Sequence, residues 1–331
     1  MKKQVYLDRL QKEMGQKYSP EYIAVCVKYA EGLLEKGLPV IFDANHLKII
    51  LKLHRVKMEY YQEFCITGKR GKERTICAPS KSLKIRQRWI LDNILYKITL
   101  LDCCEGFVKG HSIVTNAKKH IGYEQSLNID IKDFFPSISQ DRVILVFTEM
   151  GYSREAAEYL TRLCCYNGKL PQGAPTSPYL ANIVCRDMDK QLIQYSEKKG
   201  VIYTRYADDM SFSGNCEIIE LYEEILKIVA DSGFEVNHSK TRVYKGKKRK
   251  IITGIIVKDE TLSVPRDYKR KLKQEIYYCQ KFGVATHLEN TKSKKHVNFR
   301  EYLYGKAYYI KMIEPKNGQH FLDELDKIHW D

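Results

Sequence analysis

Two adjacent carboxylates, Asp208 and Asp209, close the run Tyr206-Ala207-Asp208-Asp209, and a third, Asp130, sits in Leu127-Asn128-Ile129-Asp130-Ile131-Lys132. These are the side chains whose type and spacing could do chemistry. Like charges about 4 Å apart repel by about 4 kcal/mol at an effective dielectric near 20. A solvated turn relieves that repulsion with water, whereas a metal site relieves it with a cation. Hard oxygen donors suit Mg²⁺. Two such ions roughly 3.5–4 Å apart can activate an attacking hydroxyl and hold a leaving pyrophosphate during in-line displacement at phosphorus. An Asp-Asp pair alone is usually a surface turn. The tyrosine before this one, and the upstream Asp130-Ile-Lys-Asp-Phe-Phe135, make it a candidate metal site.

The elements that must position these acids follow from local pattern. Residues 126–131, 201–206 and 210–213 read as strands, the last two separated only by Ala207-Asp208-Asp209. A tight turn between them would expose both acids, and Asp130 at the end of another strand could meet them across a sheet. Thr176-Ser177-Pro178 opens a helix striped by Leu180, Val184, Met188 and Leu192, with Pro178 in the first turn where its missing N–H costs nothing. Thr67–Pro79 reads as a β-hairpin with a cationic tip, followed by a helix striped by Leu83, Ile85, Trp89, Ile90, Ile94 and Leu95. Residues 1–52 are rich in helix formers, with Ile23, Val27, Ala30 and Leu34 at helical spacing. From Pro265 the chain reads helical again.

Composition narrows the partner. The 331 residues are 44% hydrophobic, enough for a sizeable core, and carry a net charge of +15. Such an excess favours a polyanion, because each Lys or Arg on a phosphate releases condensed counterions. No apolar stretch approaches the roughly 20 residues of a membrane span, so nucleic acid is preferred to a membrane surface. Ten cysteines include the adjacent pairs Cys103-Cys104 and Cys164-Cys165 but no CxxC, and nine histidines form no HxxxH. Free thiols in a reducing cytoplasm, without zinc, are the expectation.

Four blocks in order resemble the successive motifs of reverse transcriptases: Asp130–Phe135, Leu170–Pro178 (LPQGAPTSP), Tyr206–Asp209 and Gly233–Thr241 (GFEVNHSKT). The resemblance implies an α+β, right-hand polymerase fold with fingers, a palm of antiparallel sheet plus helices, and a helical thumb. It implies two-metal DNA synthesis, with Asp130, Asp208 and Asp209 on two Mg²⁺ ions that Mn²⁺ can replace. It further implies that Phe135 lies beneath the sugar and excludes a 2′-hydroxyl. Gln172 and Gly173 would lie near the incoming nucleotide and template, and Lys240 near the leaving pyrophosphate. Arg74 matches the fingers residue that holds the triphosphate, assisted by Lys72 or Lys69. The residue types alone leave bland alternatives: a core aromatic for Phe135, a solvated hairpin tip for the lysines, a surface site for Lys240.

Two further elements resemble those of bacterial retron enzymes: Asn116-Ala117-Lys118-Lys119-His120, an N-A-x-x-H element, and Ile252-Thr253-Gly254, where the retron pattern reads V-T-G. In that family both are thought to contact the enzyme's own structured RNA. Asn116 and His120, read as i, i+4 partners on one helical face, are therefore expected RNA contacts, as are Thr253 and Gly254. The cluster Lys245, Lys247, Lys248, Arg249 and Lys250, and the cationic face Arg266, Lys269, Arg270 and Lys273 beside the apolar stripe Tyr268, Leu272, Ile276 and Cys279, are expected to follow a nucleic-acid backbone. The expected division is 1–54 N-terminal helical region, 55–125 fingers with the NAxxH element, 126–262 palm with interleaved fingers helices, and 263–331 thumb.

The implied function is synthesis of branched RNA–DNA from a cognate non-coding RNA that supplies template and primer, the primer being the 2′-hydroxyl of an internal guanosine. Its implied partners are that RNA and its DNA product, deoxynucleotides, a separately encoded effector protein in anti-phage defence, and host RNase H, since little chain follows the thumb. A group II intron-like or other defence enzyme with 3′-hydroxyl or protein priming is the neighbouring alternative. A silent RNA-binding scaffold is the alternative of another class.

Overall fold

The computed structural model describes residues 3–15, 17–51, 61–67, 73–246, 249–291 and 298–330. In chain order the first elements are α1 (Lys3–Met14), α2 (Pro20–Glu35), α3 (Ala44–Ile50), β1 (Tyr61–Thr67), β2 (Glu73–Pro79) and α4 (Lys81–Asn93). Next come α5 (Ile113–Lys118), β3 (Gln125–Asp130), α6 (Gln140–Glu149), α7 (Arg154–Cys164), α8 (Ser177–Val184) and α9 (Arg186–Lys198). The hairpin β4 (Ile202–Tyr206) and β5 (Asp209–Gly214) precedes α10 (Tyr222–Asp231), β6 (Arg242–Tyr244), β7 (Lys250–Ile252), β8 (Ile255–Val257) and β9 (Leu262–Ser263). Four helices finish the chain: α11 (Arg266–Phe282), α12 (Val284–Thr291), α13 (Phe299–Ile313) and α14 (Pro315–Leu325).

Two compact units result, each drawing on separated stretches: 1–104, 131–191 and 228–236 in the first, and 105–130, 192–227 and 237–331 in the second. In the first unit, serines start the helices. Ser19, Ser80, Ser139 and Ser153 cap α2, α4, α6 and α7 by accepting the N–H three residues on. Helix α6 packs against α7 and α8, burying Val143, Phe147, Ala157, Leu160 and Leu180. Strands β1 and β2 pair antiparallel from Tyr61↔Pro79 to Thr67↔Glu73. Two sequence expectations change here. Ile85 is 64% exposed while Gln87 is buried, its Nε2 donating to the Tyr61 hydroxyl and the Leu163 carbonyl. The helix opened by Pro178 also stops at Val184 and restarts at Arg186, so Leu180 and Leu192 belong to different helices.

The second unit holds a four-stranded antiparallel sheet in the order β4-β5-β3-β6, and a smaller sheet β7-β8-β9. Helix α5 packs against both. A hydrophobic cluster joins Ala117 of α5, Ile252, Ile255 and Val257 of the small sheet, and Leu272, Leu303, Ala307 and Leu325 of the closing helices. The apolar stripe of α11 is turned inward as expected, with Leu272, Ile276 and Cys279 buried. Among the described residues no cysteine forms a disulfide. Among the described residues no helix is long and apolar enough to cross a membrane.

Candidate active site

The acids are brought together by strand register. Tyr206 pairs with Asp209 across the β4–β5 hairpin, leaving Ala207 and Asp208 as a two-residue turn. Ala207 takes φ +58, the left-handed region that tight hairpins demand but that a Cβ disfavours. On the other side of β5, Asp130 lies directly opposite Asp209 in the β3 register. Directly opposed residues of an antiparallel pair share a face. The carbonyl of Asp130 accepts the Asn237 N–H at 2.7 Å, and this fixes the start of the turn that carries Lys240. Lys240 Nζ donates to both carboxylate oxygens of Asp130, at 2.7 and 2.6 Å.

The electrostatics follow from that crowding. Asp209 keeps solvent-facing surface but is walled by protein on its other sides. Burial, then the charges of Asp208 and Asp130, push its carboxyl up to about 6, with Lys240 opposing. Strand register sets Asp130 opposite Asp209 with Asp208 next to it in the turn; hard carboxylates in that arrangement fit a divalent cation, and these three are the residues that would hold it. A recess of about 300 Å³ opens beside Asp209, lined by Tyr206, Asn128, Ser211, Tyr244, Thr253 and Gly254 among others. Thr253 and Gly254 both have positive φ, +46 and +83, as the tip of the two-residue turn joining β7 to β8. Asn128 Nδ2 donates to the Ile251 carbonyl at 2.6 Å, tying this hairpin to β3.

A different trio closes its ligand atoms to within 4.8 Å of one another: Cys103, Cys104 and Asp189, all buried in the first unit. The Cys104 thiol donates to Asp189 Oδ2 at 3.5 Å. Soft thiols beside a single carboxylate do not make a Mg²⁺ set.

The residues expected around the nucleotide divide between the units. Arg74 is exposed on β2, where it pairs with Ile66, and among the described residues it has no ion pair. Phe135 is half-buried, its ring 5.4 Å from that of Phe134. Gln172 accepts the Cys77 N–H at 2.9 Å through its carbonyl. Gly173, at φ +131, permits a close backbone approach, but to β2: a Cβ there would lie 2.8 Å from the Cys77 carbonyl oxygen. Lys69, Lys72, Lys247 and Lys248 fall outside the described residues.

Three expected RNA contacts are corrected, and a fourth, Lys269, is partly engaged within the protein. His120 is fully buried beyond the end of α5, with Nδ1 2.8 Å from Ser213 Oγ and Nε2 2.7 Å from Thr204 Oγ1. Asn116 is fully buried too, and its amide atoms have no hydrogen-bond partner among the described residues. A side chain with no accessible surface does not meet RNA directly. Lys250 is 1% exposed, with its ammonium on the Tyr123 carbonyl, and burial lowers its pKa. Lys269 gives its ammonium to Glu314 at 2.8 and 2.9 Å rather than to the outer face of α11. Arg249, Arg266, Arg270 and Lys273 remain exposed, and exposed Lys245 is paired with Glu217. Glu105, Gly106 and Arg205 pack around the acidic turn without any sequence motif to mark them, since their placement exists only once the chain is folded.

The reverse transcriptase (RNA-dependent DNA polymerase) family model matches residues 66–275. The retron Ec86 reverse transcriptase of Escherichia coli is 33% identical over 312 residues, covering 87% of this chain and 94% of its own. The chain belongs to the retron reverse transcriptases. The enzyme is also 32% identical to the retron Mx162 reverse transcriptase of Myxococcus xanthus over 81% of its length, though it spans only 61% of that longer protein. Among solved structures, telomerase from Candida albicans overlays with a TM-score of 0.45 at 14% identity over 83% of this chain and 62% of that one, too loosely to decide anything. The enzyme is thus an RNA-directed DNA polymerase of right-hand, α+β fold, which takes an RNA template and deoxynucleotides and belongs to a family that uses divalent metal ions.

Proposed function

We propose that this reverse transcriptase extends the 2′-hydroxyl of an internal guanosine in its own structured RNA, producing branched RNA–DNA. The observation that carries the site assignment is the register Asp130↔Asp209 at the mouth of the acidic hairpin. Asp130, Asp208 and Asp209 would hold two divalent ions, Mg²⁺ or Mn²⁺, which would supply charge neutralisation to the attacking hydroxyl and the departing pyrophosphate. Lys240, whose ammonium rests on both carboxylate oxygens of Asp130, would stand beside the leaving pyrophosphate. The priming ribose approaches through the recess lined by Asn128, Tyr244, Thr253 and Gly254. By family resemblance Phe135 selects the deoxy sugar, Arg74 holds the triphosphate, and Gln172 and Gly173 line the nucleotide and template. Lys245, Arg249, Arg266, Arg270 and Lys273 follow the RNA backbone. Fingers, palm and thumb take the boundaries read from the sequence. Host RNase H trims the template, and a separately encoded effector couples the product to anti-phage defence.

The test is nucleic acid extracted with phenol from cells expressing the gene with its native flanks. A short single-stranded DNA joined to RNA, cleaved by debranching enzyme and absent in Asp208→Ala, is expected. DNA indifferent to debranching enzyme would instead indicate 3′-hydroxyl or protein priming. No template-dependent extension at all with Mg²⁺ and deoxynucleotides would leave only a scaffold.

A further inference from the structure

Ala207 holds a left-handed backbone conformation that a residue with a Cβ disfavours, so its surroundings must fix it. Gly106 lies flat against it. A Cβ at Gly106 would stand 2.6 Å from Ala207 N, 3.0 Å from the Tyr206 carbonyl carbon and 3.2 Å from Tyr206 Cα. All three are backbone atoms and cannot rotate aside. The preceding N–H, of Glu105, donates to the Arg205 carbonyl at 2.8 Å, so the segment runs along β4 at the edge of the sheet. Arg205, fully buried, donates from Nη1 to the Ala207 carbonyl at 3.2 Å. The Glu105 carboxylate is itself locked: its side chain has no accessible surface, Lys119 Nζ stands at 2.8 Å, His111 Nδ1 at 3.2 Å, and the Thr115 hydroxyl donates at 2.7 Å. Thr115 belongs to the capping box that starts α5.

We propose that Glu105-Gly106 is the seat of the acidic turn, a positioning pair that sets where Asp208 and Asp209 present their oxygens. Glu105 anchors the segment to α5, and the bare Gly106 lets the Tyr206-Ala207 peptide settle against it. The proposal rests on the reading that Asp208 and Asp209 bind the divalent ions. A Cβ at Gly106 must push the turn outward by roughly 1 Å, and displacements of that size cost on the order of 10²-fold in rate. Residues supporting metal ligands from behind typically change affinity by about 10- to 100-fold.

The test uses the full chain carrying Gly106→Ala, with Gly305→Ala as control, because a Cβ at Gly305 in α13 meets nothing within 4 Å. Mn²⁺ binding is titrated by electron paramagnetic resonance, beside melting temperature, template-primer Kd and deoxynucleotide incorporation. Gly106→Ala is expected to weaken Mn²⁺ about tenfold and slow incorporation about 10²-fold, with template-primer Kd as in the control and a melting temperature lowered but well above the assay temperature. Unchanged Mn²⁺ affinity, or a loss that merely tracks melting temperature, overturns the proposal. If Gly106→Ala yields no folded protein, Glu105→Gln decides: weaker Mn²⁺ at unchanged template-primer Kd supports the seat, and wild-type Mn²⁺ binding refutes it. Asp208→Ala separates the two readings, since wild-type Mn²⁺ binding in that variant would remove the metal assignment itself.

Discussion

His120 tests what the NAxxH element does. One buried imidazole bonds Thr204 on β4 and Ser213 on β5, and Ser213 Oγ in turn lies 3.0 Å from Ser126 Oγ on β3. The ring therefore laces the three strands whose register brings Asp130 opposite Asp209. His120→Ala leaves the Thr204 hydroxyl, 1% exposed, without this partner and opens a cavity, for a loss of roughly 3–5 kcal/mol. Urea unfolding followed by circular dichroism should show a lower midpoint with an unchanged slope. A second signature is in pH. Burial, then Lys119 and Lys250, lower the His120 pKa to about 3 from an ordinary 6.5. The unfolded ring takes a proton below its ordinary value and the folded ring does not, so this contribution is complete above that pH and shrinks as pH falls. By pH 5 it has lost about 2 kcal/mol. His120→Gln, neutral throughout, should abolish this component, which the difference between the two stability–pH profiles isolates. If His120→Ala keeps wild-type stability while RNA affinity drops, the ring is an RNA contact after all and the buried-lacing argument is wrong.

Asp209 gives a second pH test. A proton and a divalent ion compete for a carboxyl pushed up to about 6, so metal binding and activity should decline as pH falls through that value, and excess Mg²⁺ should move the inflection lower. The metal-free protein should behave oppositely and gain stability between about pH 6 and pH 4, because the fold favours protonated Asp209; an inflection indifferent to Mg²⁺ would refute the assignment. Phe135→Val should relax discrimination against ribonucleotides by about 10²-fold in the ratio of kcat/KM values; an unchanged ratio makes Phe135 an ordinary packed aromatic. Arg270→Ala and Lys273→Ala should each lower the slope of log K for RNA against log salt by about 1. Lys269→Ala should leave that slope alone and lower the melting temperature instead, because its ammonium belongs to Glu314.

The chemistry was legible because it is local. Which side chains can ligate a hard cation, and that a short run between two strands exposes them, depend only on residue type and spacing. The strands around Asp130 and the acidic hairpin, the helix opened by Pro178 and the inward stripe of α11 were readable for the same reason. Periodicity also has limits: it ran α8 and α9 together and turned Ile85 inward, since an apolar residue at helical spacing need not have anything to pack against. Tertiary structure decided the rest. It set Asp130 against Asp209 by register, which no spacing of 78 intervening positions could specify. It also determined which cations remain exposed: Lys250 and Lys269 look like their exposed neighbours in sequence, yet one ends on a carbonyl and the other on Glu314. Asn116 and His120 carry the retron pattern but lie inside, because a polar side chain can be buried where folding supplies partners, as it does for His120, and those partners come from strands distant in the chain.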